Sequence, residues 1–164
     1  FHERAEATLV SHLQSFFMKH PQKSDRNSPQ VRDWPIAQLP GLNNENQSQL
    51  EECGITTTQQ LIRMTKTAEA KALLAHQLQV SLQYVNKWVA LASLARIPSV
   101  GCQYCGLLLH AGVASPAQLA QMPVGRLHEQ ILRMHVAMMQ RNDLTPSVDR
   151  VQKWIEEAKL VISH

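Results

Sequence analysis

Long apolar runs are missing from this sequence. Stretches such as Val89-Ala90-Leu91-Ala92 and Leu107-Leu108-Leu109 fall far short of the roughly 20 residues a bilayer core demands, so no membrane span is expected. Cysteine is scarce. With three in 164 residues, at least one stays unpaired within a monomer, which fits a reducing, cytoplasmic compartment better than a disulfide-framed secreted domain. The N-terminus carries no charged-then-apolar signal segment, and it begins with Phe1 rather than Met, as processing or truncation would leave it. None of the six glycines stands in a nucleotide-binding loop, since Gly101 and Gly106 lie in a helical segment and not after a strand. Charge of one sign is lacking too: 16 Lys and Arg against 13 Asp and Glu leave +3, with no basic block to steer a polyanion. The histidines are scattered, and no Ser/His/Asp or paired-carboxylate spacing supports catalysis. The chain therefore reads as a non-enzyme that needs no cofactor.

What the chain does have is a repeat. Leu39-Pro40-Gly41-Leu42, Leu50, Gly54-Ile55 and Gln60-Leu61 return 58 residues later as Ile97-Pro98-Ser99-Val100, Leu108, Gly112-Val113 and Gln118-Leu119. At the same offset Met64 matches Met122 and Leu73-Leu74 matches Ile131-Leu132. Val85-Asn86-Lys87-Trp88-Val89 recurs 66 residues on as Val151-Gln152-Lys153-Trp154-Ile155, so the second copy is longer by 8. Two copies of one helical unit follow. Each unit opens on a tight turn, and its first helix, over about 44–53 in copy one, stops at a glycine suited to left-handed backbone, Gly54 or Gly112. The next helix is capped by Thr57 with Gln60 reaching back, or by Ser115 with Pro116 first and Gln118 returning. Trp88 and Trp154 share helix faces with Val85, Val89, Ala92 and with Val151, Ile155, Ala158, as core anchors do. Asp143 and Asp149 flank Leu144-Thr145-Pro146-Ser147 as turn and cap residues.

Before the repeats, residues 2–19 have helical spacing, with Leu9, Leu13, Phe16 and Phe17 on one face. Pro21 ends that helix, and the almost wholly polar stretch that follows is a linker. The apolar face docks either on the repeats or on a partner or second copy. The expected organisation is an amphipathic helix in 1–20, a polar linker in 21–33, and repeats in 34–93 and 94–164.

Ala95-Arg96-Ile97-Pro98-Ser99-Val100-Gly101-Cys102-Gln103-Tyr104-Cys105-Gly106-Leu107-Leu108, continuing to Ala111-Gly112-Val113, resembles a helix-hairpin-helix motif, and Leu39 to Ile55 resembles a weaker copy. The resemblance implies a hairpin whose glycines and bare N–H groups cradle a phosphate. Ser99, Val100, Gly101, Cys102 and Gln103 would then hold duplex DNA without reading its sequence, with Arg96, Arg126 and Arg133 as supporting cations. More narrowly, residues 34–161 resemble the tandem helix-hairpin-helix domain of unknown function common in cyanobacterial proteins, which implies a fold and no activity. The hairpins depart from the motif: Asn43 replaces the second glycine of the first, and Ser99 the first glycine of the second. Asn43 tolerates positive φ, which would preserve the turn. The second helices begin Asn44-Glu45-Asn46 and Cys102-Gln103-Tyr104, without the cation that DNA-binding versions place there.

Cys102 and Cys105 sit at i, i+3 in a first helical turn, where the dipole favours thiolate. Thiol redox, a Cys/Cys/His/His metal site with His110, His128 or His135, and buried small apolar cysteines are all compatible with that spacing. The whole reads as all-α, two degenerate helix-hairpin-helix repeats behind an amphipathic helix and linker. The expected role is a non-catalytic adaptor or assembly module binding another protein, with homo-oligomerisation through the N-terminal helix as one route. DNA binding through the second hairpin is the alternative, and a thiol- or metal-responsive module at Cys102 and Cys105 the third.

Overall fold

The structure is a computed structural model that describes residues 31–139 and 145–163. The expected N-terminal helix with Leu9, Leu13, Phe16 and Phe17, and the linker up to residue 30, lie outside the described residues. Among those described the chain is all-helical, with eight α-helices, a 3-10 turn at Ile36–Gln38 and no strand. The helices are α1 (Asn44–Glu52), α2 (Thr58–Arg63), α3 (Ala68–Leu78), α4 (Leu82–Ala95), α5 (Gly101–His110), α6 (Pro116–Ala120), α7 (Val124–Met139) and α8 (Val148–Ile162).

Local chemistry sets most of these boundaries. Thr57 Oγ1 accepts from Gln60 N–H at 3.2 Å while Gln60 Oε1 accepts from the N–H groups of Thr57 and Thr56, a reciprocal cap on α2. In the second half Ser115 Oγ accepts from Gln118 N–H at 3.1 Å, and Gln118 bridges Ala114 N–H and Gly112 C=O. Gly54 and Gly112 end α1 and α5 at φ +87° and +97°, and the following Ile55 and Val113 are both fully buried. Ser147 caps α8, accepting from Arg150 N–H, and Asp149 falls in the first turn, while Asp143 lies outside the described residues.

The halves pack alike. α2 packs on α4 as α6 does on α8, α3 on α4 as α7 on α8, and α1 on α3 as α5 on α7. α5 also packs on α4, which joins the two halves. The division expected between residues 93 and 94 therefore falls inside α4, a helix both halves use. Part of the second half's greater length lies in α7, which is longer than α3. Leu74 and Ile131 are buried while Leu73 is 59% exposed, so α3 and α7 correspond one residue out of the expected register. Trp88 and Trp154, with Val85, Val151, Ala92 and Ala158, lie in one continuous core.

Residues 31–39 form a strap across both halves. Ile36 N–H donates to Thr56 C=O at 2.8 Å, Trp34 and Thr58 exchange two hydrogen bonds, and Asp33 Oδ1 accepts from Gln59 N–H at 3.0 Å. At the other end Arg32 N–H donates to Arg96 C=O, and the Trp34 indole N–H donates to Ala95 C=O at 2.8 Å. Arg32 and Asp33, the last two residues expected as linker, are thus tied down by the fold.

Candidate functional site

The second hairpin, between α4 and α5, is where the motif residues converge. Arg96 ends α4, half-buried, and its carbonyl is taken by the strap. Ile97 C=O accepts from both Val100 and Gly101 N–H, which folds the turn and starts α5 with Gly101 at φ +55°. The two hairpins bend differently. Asn43 does not take the positive φ expected of it: at φ −82° its side chain caps α1 by accepting from Asn46 N–H at 2.7 Å, and Gly41, at φ +78°, makes that turn instead. In copy two the left-handed residue is Gly101, two places later in the repeat.

The geometry around Gly101 leaves little room for a phosphate. Gly101 is buried, and a Cβ built on it would lie 3.0 Å from Cζ2 of Trp34, whose ring covers the turn. Ser99 is spent on an internal anion. Its N–H donates to Glu157 Oε1 and its hydroxyl to Glu157 Oε2, both at 2.8 Å, while its carbonyl accepts from the Trp154 indole N–H at 3.2 Å. Glu157 on α8 thus brings a carboxylate to the turn that starts α5, where the helix dipole and bare N–H groups attract negative charge. Of the five hairpin residues expected to hold phosphate, Ser99, Val100 and Gly101 use their N–H groups within the fold. Gln103 is exposed, and Cys102 is half-buried. Arg126 is exposed, and Arg133 pairs with Glu129 at 3.8 Å on the open surface, a contact of little energetic weight.

Beyond the turn, Tyr104 packs on Trp154 with ring centroids 5.0 Å apart, and the Arg150 guanidinium carbon sits 5.2 Å from the Tyr104 ring centre. Trp34, Glu157 and Arg150 are hairpin partners that the reading of sequence alone does not find. A signal exists for two of them. Where copy one has Gly41 and Leu91, copy two has Ser99 and Glu157; where copy one has Asn46 and Tyr84, copy two has Tyr104 and Arg150. Each change is paired, and each copy-two pair is in contact.

The thiols are quiet. Burial pushes Cys102 up to about 11 and Cys105 up to about 12, the latter reinforced by the neighbouring Cys102, so both are protonated at neutral pH. Cys105 Sγ turns back to the Cys102 carbonyl at 3.8 Å. His110 Nδ1 is 2.8 Å from Gly106 C=O in its own helix, and His128 Nε2 is 3.1 Å from Pro146 C=O. The side chain of His135 lies outside what is described. Among the described residues no three His, Cys, Asp or Glu come together in a way that could hold a metal ion, and no helix is long and apolar enough to cross a membrane.

Among the described residues the fold is all-helical, with matched halves and a second hairpin whose Ser99, Val100 and Gly101 N–H groups are bonded within the fold. The model of the domain of unknown function DUF4332 matches residues 40–161, and the chain belongs to that family. No curated protein and no solved structure matches it.

Proposed function

We propose that the chain is a non-catalytic adaptor or assembly module that binds another protein through its helical surfaces, built from two degenerate helix-hairpin-helix units. The observation that carries this reading is how the second hairpin spends its polar groups. Ser99 is bonded to Glu157 and Gly101 lies under Trp34, while large apolar side chains stand out, Leu73 on α3 at 59% exposure and Met64 just past α2 at 50%. Matching caps, glycine stops and helix pairings support the repeat. The resemblance to a family common in cyanobacterial proteins belongs to the same reading, as does a cytoplasmic setting, supported by the free thiols of Cys53, Cys102 and Cys105. Homo-oligomerisation through Leu9, Leu13, Phe16 and Phe17 is a further part of it.

Sequence-independent DNA binding at Arg96, Ser99, Val100, Gly101, Cys102 and Gln103 is the competing reading. It draws support from exposed Arg150 beside the hairpin on Tyr104, and Glu157 weighs against it. The desolvated thiols weigh against a redox or metal module. The test joins two measurements on the full chain. A photo-crosslinking residue at exposed Ala72 should give a discrete adduct with one polypeptide, abolished by Leu73→Asp at unchanged circular dichroism, and a short duplex should not bind saturably. Saturable duplex binding that weakens steeply between about 50 and 200 mM salt, with no adduct at Ala72, would overturn the proposal.

A further inference from the structure

The two pairings that set the second copy apart lie on one stripe of α8. Arg150, Trp154 and Glu157 fall at i, i+4 and i+7, so they share the side of that helix that meets the start of α5. At one end of the stripe both Glu157 oxygens are taken by Ser99. In the middle the Trp154 indole is bonded to Ser99 C=O and packs on the Tyr104 ring at 5.0 Å. At the other end the Arg150 guanidinium sits 5.2 Å from the centre of that ring. Nothing neutralises it. Among the described residues the ion pair formed is that of Arg133 with Glu129, and no carboxylate oxygen comes within 4.0 Å of Arg150.

We propose that Arg150, held over Tyr104, is the docking point for an aspartate or glutamate side chain of the protein that the module binds. This rests on the adaptor reading above and names the chemistry of one contact its partner makes. A guanidinium held over a ring loses less side-chain freedom on binding than a free one, and its fork of N–H donors matches the two oxygens of a carboxylate. The open end of an otherwise bonded stripe carries the assignment: Ser99 has an internal carboxylate, and Arg150 has none. The first copy lacks the site, with Asn46 and Tyr84 in these places. Neighbouring charges select among oxyanions. Exposed Asp149 precedes Arg150, and exposed Glu156 stands between Lys153 and Lys159, so α8 offers mixed signs instead of the cationic track that a phosphodiester chain requires. A single carboxylate needs no such track.

The experiment selects random dodecapeptides displayed on phage against the full chain, then counter-selects the bound clones on Arg150→Lys, which keeps the charge and loses the fork. Clones lost on the variant should share an acidic residue. Synthetic peptides made from them should bind Arg150→Lys about tenfold more weakly, the cost of one charge-assisted hydrogen bond. Replacing that acid by its amide in the peptide should remove the difference between the two proteins. Tyr104→Phe should bind the peptides as the parent chain does, and Tyr104→Leu more weakly, with circular dichroism showing that each variant is folded. Leu73→Asp should bind them unchanged, which separates this contact from the surface probed at Ala72, so either reading can fail without the other. No clone lost on Arg150→Lys, lost clones without a common acid, or peptides that bind both proteins equally would overturn the proposal. Displacement of the peptides by a short duplex would overturn it in favour of a phosphodiester on Arg150.

Discussion

The two repeat tryptophans make an internally controlled experiment. Trp88 and Trp154 are equally buried, at 1% and 0% exposure, and lie at equivalent places on α4 and α8. Their indole N–H groups differ: Trp154 Nε1 donates to Ser99 C=O at 3.2 Å, while Trp88 Nε1 is buried with no partner, and Trp154 also packs on Tyr104 where the first copy has Asn46. Replacing each with Phe removes the same atoms, so the costs of transfer and cavity nearly cancel in the difference between variants. Trp154→Phe loses a hydrogen bond worth about 0.5–1.5 kcal/mol and leaves a carbonyl unmatched, whereas Trp88→Phe relieves an orphan donor costing about 1–3 kcal/mol. Trp154→Phe should therefore be the more destabilising of the two by about 1.5–4.5 kcal/mol. Urea unfolding followed by far-UV circular dichroism reads this as a larger fall in midpoint at constant slope. Equal costs, or a greater cost at Trp88, would refute the reasoning and place an internal partner, such as a bound water, on the Trp88 indole.

Four further outcomes follow from the hairpin and its surroundings. Gly101→Ala should destabilise by more than the roughly 1–2 kcal/mol of left-handed backbone alone, because its methyl also meets Trp34, and more than Gly112→Ala, where a Cβ meets nothing within 4 Å; comparing the two unfolding midpoints checks it. Iodoacetamide at pH 8 should label exposed Cys53 in the native protein and leave Cys102 and Cys105 slow, since a thiol near 11 is roughly a thousandth thiolate there. Raised thiol values also mean that the unfolded chain ionises first: their contribution to stability is complete below pH 9 and is lost as pH rises through about 11 to 12, which a urea series at pH 8 and above would show. Ser99→Ala removes the hydroxyl from Glu157 and should cost about 1 kcal/mol, whereas an unchanged midpoint would mean that water replaces it without loss.

Features set by near neighbours are legible in the amino-acid order itself. The Thr57–Gln60 and Ser115–Gln118 caps, the glycine stops at Gly54 and Gly112, and the tryptophan-bearing faces of α4 and α8 depend on residues within a turn or two. Contacts across the fold are not. Trp34 reaches Gly101, and Glu157 reaches Ser99, across more than fifty residues, and no periodicity encodes such a meeting. Asn43 shows a local alternative winning: a short amide side chain at a helix start gains more by accepting an N–H than by relaxing a left-handed turn. The one-residue shift between α3 and α7 is hidden because Leu73-Leu74 and Ile131-Leu132 each offer two apolar residues, and only burial tells which of each pair faces inward. The bonding of Ser99 to Glu157 is written as paired substitutions, Gly41 with Leu91 against Ser99 with Glu157, but the pairing acquires meaning only from the contact itself.

The strap at 31–39 bears on how this domain is cut from longer polypeptides. The family match starts at residue 40, yet Ile36 and Leu39 are 0% and 3% exposed, and Trp34 roofs the turn that starts α5. A fragment begun at the family boundary would uncover the core and strip the start of α2 of its bonds to Asp33 and Trp34. The unit that folds therefore begins upstream of the unit that sequence comparison detects, at Arg32 at the latest, and expression trials that leave out Arg32 to Leu39 should yield aggregates.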